Sequence, residues 1–252
     1  MKASYAHYTL HFRQPAGTSR GVLTDKETYF LKLEDEDMPG VFGLGECAVF
    51  RGLSADDVPA YEDKLRELCA NISADKETDL HEFPSIRFGL ETAINDFANG
   101  CRRQPFPSDF TEGMSAIPIN GLVWMGTKEE MLHRIDDKIK AGFTTIKLKV
   151  GAIDTESELD LVRHIRKVFP PEVLTIRLDA NGGFTPDNAL QKLSDFARYG
   201  IHSIEQPIKQ GQWEAMRRIC SESPIDIALD EELIGIYTPE RMGEMLDAVR
   251  PK

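Results

Sequence analysis

Three acidic residues stand directly after three successive apolar runs in the second half of the sequence. Asp179 ends the run TIRLD, Glu205 ends HSIE and Asp230 ends IALD, with gaps of 26 and 25 residues between them. If these runs are parallel strands of a barrel, their carboxyl ends open on one face and the three carboxylates converge there. Such carboxylates repel one another unless a cation neutralises them, and hard oxygen ligands suit Mg²⁺, with Mn²⁺ next. The spacing therefore predicts a divalent metal site, although each acid alone could instead cap the following helix.

Two lysines share one face of the run Thr144–Val150. Because strand side chains alternate, Lys147 and Lys149 point to one side and the intervening apolar residues to the other. In a barrel both ammonium groups would point into the mouth, whereas an edge strand with one polar face is the alternative. When two lysines lie near each other and near a metal, the positive charges disfavour the protonated form of each amine and lower its pKa. One of the two lysines can then act as a base. Together with a divalent metal, this pair predicts abstraction of a proton next to a carboxylate.

The elements that must position these side chains alternate between strand and helix, which is typical of a parallel sheet. The expected strands are Ala116–Val123, Thr144–Val150, Leu174–Leu178, His202–Glu205 and Ile225–Leu229, and the expected helices are Lys128–Ala141, Glu156–Phe169, Pro186–Tyr199, Trp213–Ser221 and Pro239–Val249. Residues 113–252 thus hold five βα units. They predict either an open five-stranded sheet or, as we favour, a TIM-type (β/α) barrel whose last three units are missing from this chain.

Residues 1–112 predict a separate α+β domain that ends in a linker at Arg102–Gly113. The expected elements are strands Ala3–Phe12, Tyr29–Glu34 and Val41–Val49, a polar loop Gln14–Thr24, and helices from Ser54 to about Asn71 and from Ser85 to Asn99.

Composition restricts the class of partner. A net charge of -12 and a pI near 5.0 argue against nucleic acid or an anionic membrane as the main partner. No run approaches the length of a membrane span, and the amino terminus has no signal-peptide core. The 4 cysteines are irregularly spaced, which indicates reduced thiols. We expect a cytoplasmic enzyme with a small-molecule substrate, while the sequence leaves the oligomeric state open.

Taken together, the motifs resemble the muconate-lactonizing branch of the enolase superfamily and, within it, the Bacteroides-like o-succinylbenzoate synthases. The motifs are Lys147-Leu-Lys149, Asp179-Ala-Asn181, Ile204-Glu-Gln-Pro207 and Leu229-Asp-Glu231, with Gly43-Leu-Gly-Glu-Cys47 and Phe50-Arg-Gly-Leu-Ser54 in the first half. The resemblance implies that the first half is a capping domain on the barrel.

The resemblance also implies roles for individual residues. Lys149 matches the general base, and Lys147 matches the lysine that tunes it near the substrate carboxylate. Asp179, Glu205 and Asp230 match the ligands of Mg²⁺, for which Mn²⁺ could substitute.

Five further residues are candidates for substrate binding: Arg20, Phe50, Arg51, Asn120 and Asn181. The segments around Arg20 and Phe50–Ser54 resemble capping loops that close over the substrate, and closure would exclude water. Arg20 could equally be a solvated loop charge. Asn120 is expected at the end of the first barrel strand, where a turn-forming asparagine is the alternative.

The implied reaction is a Mg²⁺-dependent syn-dehydration of 2-succinyl-6-hydroxy-2,4-cyclohexadiene-1-carboxylate to o-succinylbenzoate, a menaquinone precursor, by a carbon–oxygen lyase. An N-succinylamino-acid racemase or dipeptide epimerase with the same lysine and metal is an alternative. A non-catalytic metal-binding relative is another, but the intact motifs argue against it. The family has a further lysine on its sixth strand. We expect that lysine and the natural carboxyl terminus to lie beyond residue 252, although Lys252, 22 residues after Asp230, could itself be that lysine.

Overall fold

A computed structural model of the chain describes residues 1–18 and 21–251. The chain forms two compact units, one made mainly of residues 1–117 and the other mainly of residues 118–251. The domain boundary expected after residue 112 falls in the stretch between Ala98 and Gly121, which contains no helix or strand.

The first unit packs two helices on a small sheet. Strands β1 (Lys2–Thr18), β2 (Gly21–Glu34) and β3 (Phe42–Cys47) lie in that order, followed by helices α1 (Tyr61–Ser73) and α2 (Pro84–Ala98). Strand β3 runs antiparallel to β2. A Cβ atom on Gly45 would lie 1.8 Å from the carbonyl oxygen of Gly89. Only glycines therefore allow β3 and α2 to approach this closely.

Two expectations for the first unit are wrong. Most of the expected loop Gln14–Thr24 is strand, since β1 runs to Thr18 and β2 begins at Gly21. Pairing within the sheet satisfies the backbone there, so a polar segment can be strand without an apolar run. The first helix begins at Tyr61 rather than Ser54, because Ser54 Oγ accepts a hydrogen bond from the Phe50 backbone N–H at 2.8 Å and closes a turn.

The second unit is a parallel sheet with helical crossovers, so the five predicted βα units are confirmed. Its elements are β4 (Gly121–Val123), α3 (Lys128–Lys140), β5 (Thr145–Lys149), α4 (Thr155–Arg166), β6 (Thr175–Asp179), α5 (Ala189–Ala197), β7 (Ser203–Glu205), α6 (Trp213–Glu222), β8 (Asp226–Ala228) and α7 (Pro239–Val249). The strands lie in the order β4-β5-β6-β7-β8, all parallel. A 3₁₀ turn, Glu231–Leu233, follows β8.

The first barrel strand is shorter than expected. Strand β4 begins at Gly121, whereas an apolar run predicted a start at Ala116. Pro118 interrupts that run and cannot donate a ladder hydrogen bond, and the flanking Ile117 and Ile119 are exposed. Apolar character alone did not make these residues strand.

The core of the second unit lies between the sheet and its helices. Ile146, Leu148 and Ile176 on the strands are fully buried, as are Leu193 and Phe196 on α5. Side chains cap helices at the carboxyl ends of the strands: Thr127 and Glu130 form a reciprocal capping box at α3, and Asp154 accepts from Ser157 N–H at α4. The loops after β4 and β5 therefore each end at a capped helix.

Candidate active site

Parallel pairing aligns the chemically important residues in one row. The register pairs Lys149 with Asp179, Asp179 with Glu205, and Glu205 with Ala228. Asp230 lies two residues beyond Ala228, just past the end of β8. The acids from three neighbouring strands thus lie at the same edge of the sheet, as their spacing predicts.

The two lysines share the face predicted for them. Lys147 and Lys149 are 21% and 11% exposed, whereas Ile146 and Leu148 on the opposite face are fully buried. Lys147 Nζ lies 2.8 Å from Asp179 Oδ2 and 2.7 Å from Glu205 Oε2. Lys149 Nζ donates to Asp179 Oδ2 and to Asn181 Oδ1, both at 2.6 Å. Both ammonium groups therefore neutralise the fully buried Asp179 carboxylate.

This cluster shifts the pKa of three of its members. Burial raises the pKa of Asp179, but hydrogen bonds from Lys147 and Lys149 outweigh burial and leave the pKa lowered. Burial raises the pKa of Glu205, and the hydrogen bond from Lys147 opposes this while the charge of Asp179 adds to it. Burial lowers the pKa of Lys147, but hydrogen bonds to Asp179 and Glu205 leave it raised. Two carboxylates contact Lys147 directly, which explains the direction of this shift, and the lower amine pKa expected beside a metal stays a prediction.

The donor set fits a hard divalent cation. Asp179 and Glu205 already contact one cation, the Lys147 ammonium, with carboxylate oxygens of the kind Mg²⁺ takes. Asp230 has an exposed side chain, and its backbone N–H donates to Gln206 Oε1 at 3.2 Å. In their present side-chain positions, no three His, Cys, Asp or Glu residues of the described segments form a metal site. Metal binding by Asp179, Glu205 and Asp230 therefore requires side chains to turn and stays a prediction.

Two asparagines predicted to bind substrate lie in different places. Asn181 is at the strand-end edge, where its side chain contacts Lys149 and donates to Glu231 Oε1 at 3.1 Å. Asn120 directly precedes Gly121, the first residue of β4, which pairs with Ile146. Its expected position at the end of the first barrel strand is therefore wrong. At roughly 3.3 Å per residue, it lies on the order of 10 Å from the strand ends.

The remaining predicted substrate-binding residues belong to the first half of the chain. Arg20 lies outside the described residues. Phe50 begins the turn closed by Ser54, and Arg51 is held by Glu27 at 2.8 Å and Asp57 at 2.7 Å. Hydrogen bonds from Gly52 N–H and Arg51 lower the pKa of Asp57. Substrate binding by Arg20, Phe50 and Arg51 stays a prediction.

Two residues at the site were missed in the sequence. Lys149 Nζ lies 5.4 Å from the centre of the Trp124 ring, and Glu231 contacts Asn181. The sequence could have identified both residues, because Trp124 directly follows the first barrel strand and Glu231 directly follows a predicted metal ligand. An aromatic face beside an ammonium is an attractive electrostatic contact.

A cavity of about 760 Å³ opens beside these residues. Its lining comes from the loops after β4 to β7 and includes Met125, Gly151, Asn181, Gly183 and Lys209. A Cβ atom on Gly151 would lie 3.2 Å from Gly183 Cα, so the loops after β5 and β6 touch through their backbones. The space has room for a small organic substrate.

Comparison with known proteins gives consistent matches. Residues 130–252 match the family model described as Enolase C-terminal domain-like. The o-succinylbenzoate synthase of Desulfotalea psychrophila is 41% identical, with 100% of this chain and 77% of the relative covered. The crystal structure of MenC from the same organism matches with a TM-score of 0.85 and 36% identity, over 100% of this chain and 76% of that one.

Two further relatives carry information on metal and substrate. The structure of o-succinylbenzoate synthase from Thermosynechococcus elongatus, described as having Mg in the active site, matches with a TM-score of 0.77 and 26% identity, over 98% of this chain and 73% of that one. The L-Ala-D/L-Glu epimerase of Bacillus subtilis is 32% identical, over 82% of this chain and 59% of the relative. These matches confirm the predicted fold class, a TIM-type barrel domain with an amino-terminal α+β domain. The chain belongs to the enolase superfamily.

Proposed function

We propose that this chain is an o-succinylbenzoate synthase, which dehydrates 2-succinyl-6-hydroxy-2,4-cyclohexadiene-1-carboxylate to o-succinylbenzoate. The observation that carries the proposal is the row of Lys149, Asp179 and Glu205 at the strand ends beside a cavity. The 41% identity to a synthase along the whole chain supports the choice of reaction.

In the proposed reaction, Lys149 takes the proton next to the substrate carboxylate. Lys149 then returns a proton to the departing hydroxyl on the same face, which makes the elimination syn and the ring aromatic. Lys147, between Asp179 and Glu205, supplies a fixed positive charge near the substrate carboxylate. Asp179, Glu205 and Asp230 would hold Mg²⁺, which would supply positive charge to stabilise the negative charge that develops on the substrate carboxylate.

We also propose a cytoplasmic location. The 4 cysteines, all within the described part of the chain, form no disulfide, which is the usual state in a reducing compartment. No helix among the described residues is long and apolar enough to cross a bilayer.

The test is the ultraviolet absorbance change when the cyclohexadiene hydroxy acid is added to the protein with Mg²⁺, with EDTA, or with Lys149→Ala in place of the wild type. We expect metal-dependent turnover that falls by at least about 10²-fold in Lys149→Ala, since a positioned base contributes 10²–10⁴-fold. Lys167→Ala, which removes a lysine in the turn after α4, is the matched control and should keep wild-type turnover. A folded, Mg²⁺-loaded wild type without turnover would refute the synthase proposal.

Dipeptide epimerisation is the second candidate, favoured by the Bacillus subtilis relative. The same lysine would abstract the α-proton of an amino-acid residue, and a second base would return a proton to the opposite face. Incubation of L-Ala-L-Glu with the protein in D₂O distinguishes the two candidates. Deuterium incorporation with inversion at the carboxyl-terminal residue, without turnover of the cyclohexadiene acid, would favour the epimerase.

A further inference from the structure

We propose that Glu231, acting through Asn181, is a positioning residue that fixes the amine of Lys149. The inference rests on the proposed role of Lys149 as the base. It assigns to the acid after Asp230 a task distinct from metal binding and from contact with substrate.

The side chain of Asn181 links the two residues. Its Oδ1 accepts from Lys149 Nζ at 2.6 Å, and its Nδ2 donates to Glu231 Oε1 at 3.1 Å. Its backbone N–H donates to Asp179 Oδ1 at 3.1 Å. The backbone of Asn181 has φ of 44°, in the left-handed region that asparagine adopts more readily than most residues other than glycine. This backbone conformation and these hydrogen bonds together direct the Asn181 amide at Lys149.

Glu231 determines which end of this amide faces Lys149. An asparagine side chain presents an acceptor oxygen at one end and a donor nitrogen at the other, whereas an ammonium only donates. Glu231 Oε1 accepts from Nδ2, which leaves Oδ1 for Lys149. Glu231 is only 4% exposed, in the 3₁₀ turn after β8. A buried acceptor is costly to leave unpaired, which favours this amide orientation over the flipped one.

Asn181 and Glu231 affect the position of the Lys149 amine rather than its charge. Asp179 neutralises the Lys149 ammonium, while the neutral Asn181 adds a second acceptor at the same 2.6 Å distance. The Trp124 ring lies 5.4 Å from the same atom. Two acceptors and one aromatic face fix the position of the amine, and base catalysis depends on that position.

The test is a double-mutant cycle of Asn181→Leu and Glu231→Leu, with Glu231→Gln as the conservative variant. We expect kcat to fall by about 10- to 100-fold in Glu231→Leu, the loss typical of a misplaced catalytic group. KM and Mn²⁺ affinity, the latter measured by electron paramagnetic resonance, should stay within about threefold of wild type. Glu231→Gln retains an acceptor and should recover most of kcat even if the leucine variant folds poorly. The double variant should lose no more than Asn181→Leu alone.

Additive losses in the double variant, or equal losses of kcat and Mn²⁺ affinity in Glu231→Leu, would overturn the proposal. A crystal structure of Glu231→Leu supplies a readout that needs no turnover. The Asn181 amide should flip or turn away and the Lys149 amine should move, whereas an unchanged amide and amine would count against the linkage. If the wild type lacks synthase turnover, the proposed function fails, yet this structural comparison still tests the positioning role.

Discussion

Lys147 and Glu205 lie on strands separated by β6, yet Lys147 Nζ lies 2.7 Å from Glu205 Oε2. The lysine reaches past Asp179, which it contacts at 2.8 Å. Its ammonium therefore stands between two carboxylates for which a divalent cation would compete. The ion pairs of Lys147 and the proposed metal site use the same carboxylate oxygens.

Glu205→Gln should weaken binding of Mn²⁺ by at least about tenfold, or about 1.4 kcal/mol, because it removes one charged oxygen ligand. Electron paramagnetic resonance titration measures this affinity directly. Glu172→Gln, which changes an exposed carboxylate, is the control and should bind Mn²⁺ like the wild type. Equal affinities for all three proteins would remove Glu205 from the proposed ligand set.

The buried Glu158 should make the folded protein less stable as the pH rises. Burial raises its pKa above 4.5 despite the hydrogen bond from Gly151 N–H, and Oε2 has no hydrogen-bond partner among the described residues. The unfolded chain therefore releases this proton at lower pH than the folded protein does. The resulting loss of unfolding free energy is complete once the pH exceeds the pKa of Glu158 in the folded protein. Glu158→Gln removes that cost. By urea denaturation, its unfolding free energy should gain more over wild type at about pH 7.5 than at about pH 4, and an equal or reversed difference contradicts the interpretation.

Gly151→Ala should destabilise the protein more than Gly142→Ala. Both glycines have similar left-handed backbones, with φ of 90° and 87°, but a Cβ on Gly151 meets Gly183 whereas one on Gly142 meets open space. The shared backbone strain costs about 1–2 kcal/mol, and the forced contact adds about 1–3 kcal/mol at Gly151 alone. Urea denaturation of both variants measures the difference, and equal losses would mean that the two loops separate freely.

Leu148→Ala should lower the unfolding free energy by about 2–5 kcal/mol, because the Leu148 side chain is fully buried. Leu148 stands between Lys147 and Lys149 in the sequence, and its side chain points to the opposite face of β5. Thermal or urea denaturation checks this. Val168→Ala, at a position 69% exposed, should change stability by less than about 0.5 kcal/mol. A small loss in Leu148→Ala would contradict the assignment of this face to the core.

The sequence predicted the acids and lysines of the site because each follows from a strict local pattern. Asp179 and Glu205 directly follow apolar runs, and Lys147 and Lys149 occupy alternate positions in one run. A buried strand leaves little freedom in which side chains face which way.

Other features depend on contacts that local pattern does not record. The polar end of β1 is strand because β2 pairs with β1, and Ser54 closes a turn with Phe50 instead of starting a helix. The linkage of Lys149 to Glu231 joins residues distant in sequence through Asn181. Such contacts arise only when separate strands meet, so neither apolar alternation nor turn residues predict them.

The row formed by Lys149, Asp179, Glu205 and Ala228 also restricts how this scaffold can change. Inserting or deleting one residue within β6 would turn Leu178 toward the lysines and Asp179 toward the helices. Helices and loops between strands can lengthen or shorten without breaking the row. A change of substrate on this framework, in evolution or in design, must therefore keep the length of each strand constant. The residues that can vary are those that follow each strand.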